Sequence, residues 1–173
     1  FRSVFDTSSS VGDVGVFDLN LITGKLKANE QWFVNNGLEY SSEEQDISII
    51  LDKLHPEDRR KINAILADCA AGKTKQFSAD LRVYISSERY KWTRASAQVK
   101  DYLPANNIIR LVGVVLDINE IKKAESSSRI NENKFKSMFD NAPLPYQSLD
   151  PEGRFIEVNP AWLGHLGYSK QDV

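Results

Sequence analysis

The sequence has 173 residues, of which 41% are hydrophobic and 27% charged, a composition typical of a globular protein with a hydrophobic core. Its formal net charge of −2 provides no positive field to attract nucleic acid or an anionic membrane surface, so we expect neither as a partner. Because no apolar run reaches the roughly 18 to 20 residues of a membrane-spanning helix, any membrane anchor of a parent protein is expected outside this sequence.

The first predicted element is a β-hairpin followed by a short helix. Residues 14–20 alternate loosely between apolar and polar, Leu21-Ile22-Thr23-Gly24 follows, and the alternation resumes over residues 25–28. A short helix begins at residues 29–33 and ends at Asn36-Gly37, where glycine can adopt the left-handed conformation of a helix end.

A longer helix and three strands follow. The helix begins at His55-Pro56-Glu57-Asp58, with proline in its first turn, and ends at Gly72. Residues 76–85 and 89–100 alternate with period two, whereas residues 108–118 are nearly continuous in Ile, Leu and Val, which predicts a central strand covered on both faces. The order of elements predicts an α+β fold, with a five-stranded antiparallel sheet flanked by short helices.

The next segment is predicted to be a helical connector with a heptad pattern. The residues that repeat every three and four positions are Ile121, Ala124, Ser128, Asn131, Phe135, Met138 and Ala142. Such a seam predicts a coiled coil and hence a homodimer through helical segments, weakened by its polar middle. The alternative is one amphipathic helix packed on its own domain.

An internal repeat indicates the domain organisation. Four residues, Leu19, Asn29, Trp32 and Gly37, recur at a constant offset of 130 positions as Leu149, Asn159, Trp162 and Gly167. We therefore expect a lead-in at residues 1–10, a complete domain at 11–118, the connector at 119–142 and the start of a second domain at 143–173. A hairpin with a short helix is marginal alone, so we expect the second copy to be loosely ordered or held by a neighbouring chain.

Several stretches resemble the PAS family, in the PAS_3 type followed by its PAC segment. In the first copy they are residues 15–20 with Thr23-Gly24, 55–59, Tyr90-Lys91-Trp92 and 113–120; in the second they are residues 135–143, 150–153, 159–161 and 167–169. The resemblance implies a sensing or assembly module without catalysis, in a parent such as a sensor histidine kinase or a diguanylate cyclase, whose output domain lies outside this sequence.

The resemblance also implies a signal-relay junction at Asp117-Ile118-Asn119. Similar proteins carry Asp-Ile-Thr there, which couples the sheet to the following helix, and asparagine keeps a short polar side chain that can cap a helix. An ordinary helix cap without a signalling role is the alternative.

A ligand pocket is expected on the concave face between the sheet and the helices. The candidate lining residues are Phe17, Trp32, Phe77 and Trp92, which could equally be plain core. An unidentified small molecule is the expected ligand, and a ligand-free dimerisation spacer is the alternative.

No cofactor or metal is expected. Flavin photosensors of this family resemble each other in an Asn-Cys-Arg-Phe-Leu stretch that supplies a reactive cysteine, whereas Cys69 lies in Asp68-Cys69-Ala70-Ala71 on an apolar helix face. His55 stands at a helix start and His165 in the second repeat, so neither is a convincing haem ligand. A single cysteine fits a reducing, cytoplasmic compartment.

An enzymatic function is the least favoured reading of the sequence. An acid or base inside the cavity would be required, and the candidates are Asp18 and Asp80. The period-two pattern directs both away from the core, so we expect no catalysis by this chain.

Overall fold

The computed structural model describes residues 13–172, in two units that divide after Glu120. The elements of the first unit are β1 Val14–Asn20, β2 Lys25–Ala28, α1 Glu30–Asn35, β3 Gln45–Asp46, α2 Ser48–Leu51, α3 Pro56–Ala70, β4 Gln76–Tyr84, β5 Tyr90–Leu103 and β6 Ile108–Asp117. Helix α4, Asn119–Asp140, begins there and continues into the second unit, which also contains β7 Gln147–Leu149, β8 Phe155–Val158 and α5 Pro160–Leu166.

The first unit contains an antiparallel sheet with the strand order β3-β2-β1-β6-β5-β4. All five strands predicted from the sequence are present, and the α+β fold is confirmed. A sixth strand was not predicted: β3 adds to the edge by pairing Gln45 with Leu26 and Asp46 with Lys25. This strand has only two residues, too few to show the alternation that identifies a strand.

One face of the sheet carries the hydrophobic core. Its buried residues include Phe17 and Leu19 of β1, Leu81 of β4, Ala95 of β5 and Leu111 of β6. Helices α1, α2 and α3 contribute Trp32, Phe33, Ile50, Ile62 and Cys69 to the same cluster.

The expectation that β6 is covered on both faces is wrong. Its residues alternate between buried and more exposed, with Leu111 fully buried and Leu116 36% exposed. The core cluster lies on one side of the sheet, so a strand rich in Ile, Leu and Val leaves its other face partly open.

The second unit repeats the start of the first. Its hairpin β7-β8 and helix α5 follow the order of β1, β2 and α1, and Trp162 is buried as Trp32 is. Several apolar side chains remain exposed, including Ile156 at 67%, whereas its counterpart Leu26 is 1% exposed. Across residues 13–172, no helix is both long and apolar enough to span a membrane.

Candidate functional site

A cavity of about 60 Å³ lies within the core of the first unit. Phe17, Trp32 and Phe77 line it, as the sequence suggested for a pocket. The other apolar lining residues are Leu19, Leu26, Ile47, Ile50, Leu51, Leu54, Ile62, Leu66, Leu81, Ala95, Leu111 and Val115. Such a wall offers dispersion contacts and hydrophobic burial to an occupant, with little that could stabilise a charge.

Two polar side chains, Asn36 and Thr93, stand among the described lining residues. Asn36 is 2% exposed, and its Nδ2 donates to the carbonyl oxygen of Trp32 at 2.8 Å. Thr93 is 1% exposed and lies on β5, where it pairs with Asp117 of the predicted relay junction. An uncharged ligand with one polar group could use these two side chains for orientation.

Trp92 does not belong to this wall, which corrects the fourth pocket candidate. It is one residue out of phase with Thr93, so its side chain projects from the opposite face of the sheet. There the guanidinium carbon of Arg82 lies 5.5 Å from the centre of the indole ring, a cation–π distance.

The position of Trp32 beside the cavity is set by the cap of helix α1 and by the close approach of this helix to strand β1. Asn29 caps the helix, with its Oδ1 accepting the Trp32 N–H at 3.0 Å. A Cβ on Gly15 would lie 2.5 Å from the Cα of Trp32. Only glycine at this position of β1 lets the helix backbone come so close to the sheet.

The predicted relay junction is tied to β5 through the backbone of Trp92. Ile118 is 1% exposed, and its N–H donates to the Trp92 carbonyl oxygen at 3.0 Å. The expectation that Asn119 caps the following helix is wrong, because its Oδ1 accepts the Trp92 N–H at 2.9 Å. Asp117 supplies the local bond instead, its Oδ1 accepting the Asn119 N–H at 3.0 Å.

Lys91 also joins this region; the sequence analysis named it within the Tyr90-Lys91-Trp92 stretch but predicted no role for its side chain. Its Nζ donates to Oδ2 of Asp117 at 3.2 Å and to the carbonyl oxygen of Val34, in α1, at 3.1 Å. The available signal was its phase: Lys91 lies two residues from Thr93 and so shares its face of β5.

An ionic cluster joins the start of α3 to β4. Oδ2 of Asp58 accepts from Nε and from the backbone N–H of Arg82, each at 2.8 Å, and Oδ1 accepts from Nη2 at 2.9 Å. Burial alone would raise the pKa of Asp58, but the hydrogen bonds and charge of Arg82 lower it below its ordinary value. Glu57 also accepts from Arg82, which lowers the pKa of Glu57.

Of the remaining titratable candidates, the two aspartates form ion pairs and the cysteine is buried. Asp18 pairs with Arg110 and Asp80 with Arg94. Cys69 is 0% exposed, and burial, reinforced by the charge of Asp68, raises the pKa of its thiol. These environments agree with an inert cysteine and with carboxylates that face away from the core.

Neither histidine is among the described residues that line the cavity. Nδ1 of His55 accepts the Glu57 N–H at 3.3 Å at the start of α3, and His165 lies in the last turn of α5. Within residues 13–172, no group of three or more His, Cys, Asp or Glu side chains is placed to hold a metal ion.

Known proteins share this architecture. The family model described as PAS fold matches residues 26–115, and a second, described as PAS domain, matches residues 133–173. A solved sensory box histidine kinase/response regulator from Burkholderia thailandensis superposes with a TM-score of 0.60 at 22% identity, covering 78% of this chain and 99% of that one.

Two curated relatives are longer proteins. Sensor protein FixL from Bradyrhizobium diazoefficiens is 26% identical over 161 residues, which cover 92% of this chain and 31% of that protein. The mitochondrial ATP-dependent RNA helicase MRH4 from Lodderomyces elongisporus is 24% identical over 143 residues, covering 82% of this chain and 24% of the helicase. The chain thus spans less than a third of the length of each.

Proposed function

Because this chain belongs to the PAS family, we propose that it is the sensory and regulatory part of a larger signal-transduction protein. The observation that carries the proposal is the apolar cavity, which is lined by Trp32 of α1 and by Leu111 and Val115 of β6. Strand β6 leads directly into the long helix α4. An occupant of the cavity alters the packing of α1, and the sheet passes that change to α4. The output activity belongs to a domain outside this chain.

The ligand class that fits the cavity is a small, uncharged and mainly apolar molecule. A volume of about 60 Å³ is well below that of an engineered cavity of about 150 Å³ that binds benzene or xenon. The wall also lacks the axial ligand that a haem requires among its described residues. We therefore propose no haem, flavin or metal for this site.

Xenon pressure tests the cavity directly, with amide chemical shifts as the readout. We expect the amides of Leu111 and Val115 to shift in the wild-type protein, and Ala95→Val to suppress the shift by filling the cavity from β5. Ser96→Val is the matched control, because the next residue of the same strand faces the other side of the sheet.

Native mass spectrometry of the purified protein then identifies a natural occupant. A small bound mass that is released on denaturation and lost in Ala95→Val supports the ligand-sensing role. A cavity that neither xenon nor a retained molecule enters contradicts it.

The proposed parent is a sensor histidine kinase, or in second place a diguanylate cyclase. The names of the FixL and sensory box relatives support the first choice.

We further propose a cytoplasmic location, a connector over residues 119–142 and the start of a second PAS domain over residues 143–173. A homodimer through α4 is proposed because its apolar seam is exposed, with Ile121 at 50% and Met138 at 74%.

A ligand-free dimerisation spacer is the second candidate, favoured by the small size of the cavity. In that case the core transmits no chemical signal, and the module only sets the spacing and pairing of its neighbours. A dimer whose cavity excludes xenon would support this candidate over the first.

Helicase activity is not part of the proposal. The segment from Ala67 to Gly72-Lys73-Thr74 resembles a phosphate-binding loop, but it lacks the first glycine of that motif. A phosphate loop opens a helix, whereas this segment closes α3, where the helix dipole disfavours an anion. Lys73 instead pairs with Asp68 at 3.4 Å.

A further inference from the structure

Lys91 joins the helix that walls the cavity to the strand end from which α4 begins. Its side chain is 15% exposed, so its bonds to the Val34 carbonyl and the Asp117 carboxylate are only partly open to solvent. We propose that Lys91 is a positioning residue that transmits displacement of α1 to the relay junction at Asp117-Ile118-Asn119. This inference rests on the sensory function proposed above and names the residue that performs the transmission.

The displacement that Lys91 transmits begins at Trp32. This side chain lines the cavity, and Val34 lies two residues further along the same six-residue helix. Because Gly15 already lies against the backbone of Trp32, α1 cannot move closer to the sheet. A change in the cavity must therefore shift the helix outward or along its axis, and the Val34 carbonyl moves with it.

Lys91 reaches β6 at its last residue, Asp117, one residue beyond the described pairing of β6 with β1. The pairing of β6 with β1 ends at Leu116, so Asp117 pairs only with Thr93 of β5 in the described ladder. A second polar bond, from Asn35 Nδ2 to the Val115 carbonyl at 2.9 Å, also ties α1 to β6. Val115, however, is held by strands on both sides, so we assign the transmission to the Lys91 bond.

Asp117 links Lys91 to the first residue of the connector helix. One carboxylate oxygen, Oδ2, accepts from Lys91, and the other, Oδ1, accepts the Asn119 N–H. A carboxylate is rigid and planar, so a pull on one oxygen turns the other. The orientation of the first turn of α4 is thus coupled to the position of α1.

The test uses a substitution as the input, so that it does not depend on any ligand. Trp32→Phe alters the cavity side of α1, and amide chemical shifts at residues 117–120 report the junction. The variants to compare are Lys91→Met, which removes both bonds, and Lys91→Arg, which keeps the charge. Lys53→Met is the matched control, because Lys53 Nζ donates to the Gly37 carbonyl just after α1, at 3.3 Å, without reaching Asp117.

We expect Trp32→Phe to shift the junction amides in the wild-type, Lys53→Met and Lys91→Arg backgrounds, and most of that shift to be lost in Lys91→Met. The amides of Leu111 and Val115 should respond in every background, which shows that the input and the fold are intact. An unchanged junction shift in Lys91→Met, an equal loss in Lys53→Met, or no junction response in the wild-type background overturns the proposal. An impermeable cavity in the xenon experiment counts against ligand sensing but leaves this result decisive for Lys91.

Discussion

Asn29 and Asn159 lie 130 positions apart and make the same hydrogen bonds to equivalent partners. Oδ1 of Asn29 accepts the N–H groups of Val16 and Trp32 at 2.8 and 3.0 Å. Oδ1 of Asn159 accepts those of Tyr146 and Trp162, each at 2.9 Å. The Nδ2 atoms donate to Val14 and Leu144, respectively, so each asparagine fastens a strand or its lead-in to the helix that follows the hairpin.

Asn29→Ala should lower the free energy of unfolding by about 2 to 3 kcal/mol, because three hydrogen bonds are lost and backbone groups are left without partners. Urea unfolding measures the change. Asn63→Ala, at an exposed position of α3, is the control and should be neutral or slightly stabilising, since alanine favours helix. A midpoint for Asn29→Ala equal to that of the wild type contradicts the structural role of this side chain.

Asn159→Ala should loosen the second unit alone. Its Nδ2 also donates to the Phe139 carbonyl near the end of α4, at 3.2 Å, so the end of that helix should fray together with the hairpin. Amide hydrogen exchange measures the effect: faster exchange at residues 140–149, with residues 14–117 unchanged, is the expected pattern. Faster exchange throughout the first unit would argue against a local effect.

Asp58→Asn should reduce stability at neutral pH by about 2 kcal/mol, because charge-assisted bonds to Arg82 are lost. The folded pKa of Asp58 lies below its unfolded value, so its contribution is present above the unfolded pKa, about 3.9, and is lost as pH falls through the folded pKa.

Urea unfolding from about pH 7 to about pH 3 tests this sign, and the variant should lose less stability on acidification than the wild type. Asp52→Asn is the control, because Asp52 pairs with Arg59 at the surface and is 64% exposed. Parallel pH profiles for wild type and Asp58→Asn would contradict the assignment.

Gly15→Ala should destabilise the first unit by about 2 to 3 kcal/mol, since the added methyl group meets the backbone of Trp32. Gly164→Ala is the contrast: a Cβ there meets nothing within 4 Å, and alanine should strengthen α5 by about 0.5 to 1 kcal/mol. Urea unfolding measures the first change and amide exchange in α5 the second. Equal stability of Gly15→Ala and the wild type would show that α1 can relax without cost.

Met138→Glu should weaken the proposed dimer, because a charge enters an apolar seam position that is 74% exposed in the single chain. Sedimentation velocity over a range of concentrations measures the association. Lys136→Glu, at an exposed b position of the same heptads, outside the seam and its flanking e and g positions, should leave it unchanged. If both variants associate like the wild type, the dimer does not use α4.

The sequence predicted most of the framework, because turn residues and alternation are local signals. The hairpin before α1 and the glycine after it, Gly37 with φ of 63°, were found as expected. The two-residue β3 escaped notice, since only its pairing with β2 defines it. The open face of β6 was missed because Ile, Leu and Val do not reveal which side lies against helices.

The candidate site was harder to predict, because it depends on which face each side chain occupies. Three of the four aromatic candidates line the cavity, but Trp92 was chosen by size, although its alternation with Thr93 places it on the other face. The partner of Asn119 is a backbone group 27 residues away, and no local pattern encodes it. The dual contact of Lys91 is likewise a tertiary property.

Helix α4 has 22 residues and is therefore about 33 Å long. A rigid rod of that length acts as a lever arm: a tilt of about 10 degrees at its base would swing its far end by about 6 Å. In the proposed relay such a tilt would begin at Asp117 and Asn119, whose side chains accept the N–H groups of Asn119 and Trp92, respectively. A sub-ångström adjustment in the core could thus be read out as a displacement comparable to a full helical turn.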